Sequence, residues 1–150
     1  MTVEALKILI TGSLFLHAVA HAIAFFALVA EGLAGGSDAM GLSRARLVPR
    51  IDPRVAALGG AVIWFVSTTG FLVAAAGFWG LLATGAGWRS IAVASSGLSI
   101  LGIAFRGGTW PGAPSVRRSV LNTVVATTMN VALLATLAWL RWPPQAMFGR

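Results

Sequence analysis

Residues 5–30 form one apolar run broken by a single charge, Lys7. A bilayer offers the backbone no hydrogen-bond partners, so a spanning segment must close its own bonds as a helix or join a closed barrel. A barrel strand needs only about 9–11 residues, and a spanning helix about 20. The run therefore reads as a membrane helix. Runs 54–76, 88–105 and 116–140 share its character. The expectation is an all-α protein, a four-helix transmembrane bundle forming a single membrane domain over residues 1–150.

Composition points the same way. Of the 150 residues, 57% are hydrophobic and 10% are charged, against about 25% charged in soluble domains. The polar surface is too small for water, so the lipid bilayer is the expected solvent. A cleavable leader competes for the first run, since Ala18-Val-Ala20 and Ala20-His-Ala22 have the small-x-small form. Only Lys7 stands before the run's core, after Glu4. The run also outlasts a leader's apolar region of roughly 7–15 residues. An uncleaved helix is expected.

The formal net charge is +7, from eleven Lys and Arg against four Asp and Glu. These cations sit in loops and at span ends, with no basic stripe and no aromatic platform between them. They read as orientation signals and contacts to anionic headgroups, with no nucleic acid as partner. Arg44, Arg46, Arg50, Arg54, Arg106, Arg117 and Arg118 lie in the first and third loops. Lys7, Arg89, Arg141 and Arg150 lie on the other side. Seven against four places the first and third loops in the cytoplasm, with the plasma membrane as the expected location. In the first loop, 31–54, Pro49 and Pro53 forbid one continuous helix. The segment reads as a solvated topogenic loop, with a short interfacial helix over 42–48 as the alternative. Asp52 and Ser115 are placed to cap the second and fourth spans, with Pro53 at a first helical position. Trp79 and Trp88 bracket the second loop as interface anchors would.

Small residues pattern the interior. In the second span Ala56, Gly60, Ile63, Ser67, Gly70, Ala74 and Gly77 recur at alternating spacings of four and three. Such a stripe lets helices approach closely in lipid. Ala92, Ser95, Ser96, Ser99 and Gly102 make a matching face on the third span.

Chemistry concentrates in the first span. His17 and His21 are the only histidines and stand near mid-membrane. Four residues apart, they share a helix face. An ionisable pair at that depth is costly and marks a candidate site. Trp64, Ser67, Thr127 and Asn130 fall at similar depth on other spans and complete the candidate polar site. Three uses of the pair follow. The rings can hydrogen-bond within the bundle as a structural element. They can couple a proton or small solute, since histidine titrates near neutrality. They can also ligate a metal or haem. The third use lacks a further ligand, because Glu4, Glu31, Asp38 and Asp52 all lie at span ends or in loops. No metal and no cofactor is therefore expected. With no Cys, no Tyr and no recognisable Ser-His-Asp or paired-carboxylate pattern, enzymatic activity is not expected either. The expected role is a structural or accessory subunit of a membrane complex, docking a membrane-protein partner or forming a homo-oligomer. The alternative is a small-solute or proton-coupled carrier using His17 and His21.

The four-span layout resembles two groups. Small multidrug-resistance transporters also have four helices, but their first span carries a glutamate where this chain has His17 and His21. The chain is more similar to the DoxX-like small four-helix integral membrane proteins, in span number and length. That resemblance implies the bundle fold and carries no site residues with it.

Overall fold

The computed structural model describes residues 2–35, 51–85 and 87–144. The described residues form four α-helices: α1 Val3–Leu33, α2 Pro53–Trp79, α3 Gly87–Phe105 and α4 Val116–Leu133. A π-helical turn, Leu134–Trp139, continues α4. There is no strand among the described residues. All four helices, α4 taken with its π turn, are long and apolar enough to cross a membrane. Segment 42–48, read as a solvated loop with a short interfacial helix as the alternative, lies outside the described residues.

The helix ends follow local chemistry. The Thr2 side chain accepts from the Ala5 N–H at 3.2 Å, and Glu4 sits in the first turn, where the helix dipole favours an anion. Lys7 reaches Glu4 at 3.0 Å. Asp52 accepts from the N–H groups of Arg54 and Val55 at 2.9 and 3.2 Å, with Pro53 following in the first turn. Gly80 ends α2 in the left-handed region, φ 85°, which glycine adopts without a Cβ penalty. Ser115 caps α4 by accepting from the Arg118 N–H.

α1 packs along α2, α2 along α3, and α4 leans chiefly on α3. The small faces of α2 and α3 point inward: Ser67 and Ser99 are fully buried, and Ser95 is nearly so. Gly70 meets Ser95 so closely that a Cβ there would overlap the serine side chain. Phe15, Val19 and Phe26 face outward on α1, whereas Leu14 is buried. Two apolar clusters result. One gathers Leu14, Phe71, Phe78, Trp88 and Leu137. The other gathers Leu28, Trp64, Ile103, Trp110 and Ala126.

Three side chains depart from their expected places. Trp88 was expected as an interface anchor beside Trp79. It is buried against Phe78, ring centroids 4.6 Å apart, while Trp79 stays exposed. Glu31 was expected to open the first loop. It lies in the last turn of α1, because the helix continues to Leu33. Arg106 was expected as a loop cation. It turns inward just after α3 and pairs with Glu31 at 3.3 Å. Its side chain is 1% exposed and that of Glu31 is 8% exposed. The Arg106 Nε and Nη1 are buried without a partner. Glu31 lies about 21 Å along the axis from His17 at ~1.5 Å per residue. That exceeds the ~15 Å half-thickness of a bilayer core, so the pair sits at headgroup level if His17 is central. The π turn also departs from a regular helix. The Thr136 hydroxyl donates back to the carbonyls of Ala132 and Leu133, at 2.7 and 3.3 Å, and competes with the backbone ladder there.

Candidate functional site: an intramembrane histidine circuit

His17 and His21 lie at the waist between the two apolar clusters. Helical spacing puts both on the inner face of α1, where His17 is 5% and His21 0% exposed. Their ring centroids are 4.4 Å apart. Three hydrogen bonds link them with residues of two other helices, and a fourth joins them within α1. His17 Nε2 meets Asn130 Oδ1 of α4 at 3.0 Å. Asn130 Nδ2 donates to Ser99 Oγ of α3 at 2.7 Å. Ser99 Oγ meets His21 Nε2 at 2.6 Å. His21 Nδ1 meets the His17 carbonyl at 2.9 Å.

Donor and acceptor chemistry gives these bonds a direction. A carbonyl oxygen only accepts, so His21 Nδ1 carries a proton and donates to His17. In the neutral ring, His21 Nε2 then presents its lone pair. The Ser99 hydroxyl donates to that lone pair while accepting from the Asn130 amide. The Asn130 oxygen in turn accepts from His17 Nε2–H. The bonds thus run from His17 through Asn130, Ser99 and His21 back to His17. The circuit also requires opposite tautomers, His17 protonated on Nε2 and His21 on Nδ1. It closes with both nitrogens of His21, both amide atoms of Asn130 and both roles of Ser99 in use.

Aromatic rings wall the circuit. Phe71 stands edge-on to His17 at 4.8 Å and to His21 at 5.5 Å. Trp64 lies 4.6 Å and Trp110 5.8 Å from His21, centroid to centroid. Trp64 and Trp110 pack on each other at 4.9 Å. Trp110 comes from the third loop, whose Gly107, Gly108 and Gly112 all have positive φ. The backbone N–H of Trp110 donates to Ser119 Oγ at 2.7 Å, which ties the loop to the first turns of α4. The loop thereby folds a tryptophan down into the bundle.

Of the six candidate residues, the structure brings His17, His21 and Asn130 into direct hydrogen-bonded contact or one bond's remove, and sets the Trp64 ring, tilted, against His21. Ser67 is fully buried but its hydroxyl has no partner. Gly102 adjoins Trp64, and Ser95 adjoins Gly70. In an antiparallel pair this sets Ser67 level with Ser99. Trp64 Nε1 is likewise buried and unpartnered. Thr127 is half-buried and makes no hydrogen bond to the pair. Three contributors escaped the candidate set. Ser99 was one of several residues open to the pair as hydrogen-bond partners, with Ser67, Ser95, Thr127 and Asn130, and its spacing did not single it out. Phe71 looked like any core aromatic. Trp110 lies in a Gly- and Pro-rich loop, where no periodicity shows a side chain turning inward.

Compared with models of protein families, with curated proteins and with solved structures, the chain matches none. Its class rests on its own features. Four long apolar helices around a buried polar waist define a small polytopic integral membrane protein.

Proposed function

We propose that this protein is a structural or accessory subunit of a membrane complex, and that the histidine circuit is the clasp holding its helices in register. The closed circuit is the observation that carries this reading. A transport site must offer hydrogen-bonding groups to a cargo, yet both nitrogens of His21 and both amide atoms of Asn130 are engaged within the protein, which leaves His17 Nδ1 as the one ring nitrogen outside the circuit. Their neighbours Trp64 and Ser67 are sealed from solvent. The clasp acts where apolar packing is weakest, since α4 is the least covered helix and leans mainly on α3. Its bond from Asn130 to His17 ties α4 to α1 as well. The outer side of α4 carries Val120, Val124 and Val131, all exposed, and is the face offered to a larger membrane partner.

The same proposal places the protein in the plasma membrane with its first and third loops cytoplasmic, from the excess of basic residues in those loops. It also keeps the protein beside the DoxX-like group on layout. Purification from its native membrane in a mild detergent tests the role. A larger membrane protein should co-purify in fixed stoichiometry. A homodimer whose melting temperature rises with a small solute would instead support the carrier reading and overturn this one.

A further inference from the structure

A second feature lies at the end of the bundle that carries the two termini. Below the His17–Asn130 bond, α1 and α4 part and leave a groove of about 220 Å³. Ile10 and Ser13 line it from α1, Ala132 and Thr136 from α4 and its π turn, and Trp142 and Pro143 close its outer end. Leu9 and Ala132, on its rim, are exposed, so it opens sideways.

The chemistry of the lining selects an occupant. The two hydroxyls in the groove are already spent on their own helices. Ser13 donates to the Leu9 carbonyl at 2.8 Å and Thr136 to the Ala132 carbonyl at 2.7 Å. With both hydroxyls turned back on their own helices the walls are mostly apolar, which suits a hydrocarbon chain better than a polar solute. The mouth is different. Arg89 is anchored there by donating from Nη2 to the Pro143 carbonyl and by lying 5.7 Å from the Trp88 ring. Its Nε is buried without a partner, so the outer edge of the guanidinium is the part that can face a headgroup. Lys7, three and seven residues before Ile10 and Leu14, shares their helix face and lies one turn outward, where it is paired with Glu4, so of these two cations Arg89 is the one without a carboxylate partner among the described residues. An apolar slot in the membrane with cations at its headgroup end matches one kind of molecule.

We infer that the α1–α4 groove is a binding site for an anionic phospholipid of the surrounding bilayer, one acyl chain lying between Ser13 and Ala132 and the phosphate at Arg89. The lipid fills the space that the loosely held α4 leaves, so this site and the histidine clasp stabilise the same helix from two levels.

The test uses the full chain in phosphatidylcholine nanodiscs containing a small fraction of phosphatidylglycerol with a photoactivatable acyl chain. After illumination, labelled residues are mapped by mass spectrometry. Labelling at residues 10–14 and 132–137 should saturate as the photolipid fraction rises, and should exceed labelling of the outward residues Leu16 and Ile23 severalfold. Ala132→Phe, at an exposed rim position that tolerates a larger side chain, should lower it to the level of those residues. Arg89→Gln should remove the advantage of phosphatidylglycerol over a photoactivatable phosphatidylcholine. Groove labelling that rises linearly and matches Leu16 and Ile23 would show bulk lipid only and overturn the site. Saturable labelling equal for both headgroups, before any substitution, would overturn its anionic character. Absence of groove labelling would point to a protein segment there and overturn it as well.

Discussion

Glu31→Leu should destabilise the protein by about 3–5 kcal/mol, the loss expected when one partner of a buried ion pair is removed. The substitution leaves the Arg106 guanidinium, 1% exposed, without its carboxylate. The pair itself is poorly built. Its contact is 3.3 Å long, and Nε and Nη1 have no acceptor. Coulomb attraction in such a pair offsets only part of the desolvation of its two charges. Adding Arg106→Met to Glu31→Leu should therefore recover most of the stability. The apolar pair should stand level with the native one, or above it by up to ~4 kcal/mol. Unfolding free energies of the three proteins in bicelles check this. A double variant as unstable as Glu31→Leu alone would show that Glu31 acts through something other than Arg106.

Asn130→Leu should cost about 2 kcal/mol, near the top of the range for interhelical hydrogen bonds in membranes. The high figure follows because one substitution orphans two groups, the His17 Nε2–H and a lone pair of Ser99. In the double variant His17→Leu/Asn130→Leu, the losses should fail to add, with a coupling of about 0.5–2 kcal/mol between the two positions. Ser67 supplies the contrast. Its hydroxyl is as deeply buried as that of Ser99 but has no partner, so Ser67→Ala should leave stability unchanged or raise it. Unfolding measurements on the set decide it. Additive losses at positions 17 and 130 would remove the clasp from the account.

The four helices were legible because apolar runs of spanning length leave few alternatives. Asp52 with Pro53, and Ser115, were legible as caps because cap chemistry is local. The small faces of α2 and α3 were legible because their period is helical. The site was harder to read. Depth alone could bring His17, His21 and Asn130 to one level, but it could not choose Ser99 over Ser95 or Ser96, since all three share one inward face. The choice depends on how α3 is rotated against α1 and α4. Trp110 was hidden by its loop, where glycines with positive φ decide the path and leave no pattern. Arg106 and Glu31 were hidden for another reason. Charges at span ends are ordinarily solvated, and only the junction of α1, α2 and α3 turns these two inward.

The central claim, a closed circuit in which His17 and His21 serve structure, makes one demand that no looser arrangement shares. The two rings must hold opposite tautomers. Solid-state ¹⁵N spectroscopy of the histidine-labelled protein in bilayers at neutral pH reads this directly, with His17→Leu and His21→Leu assigning the signals. His17 should show a protonated Nε2 and a bare Nδ1, and His21 a protonated Nδ1 and a bare Nε2. The same tautomer at both positions, or a ring protonated on both nitrogens, would contradict the circuit.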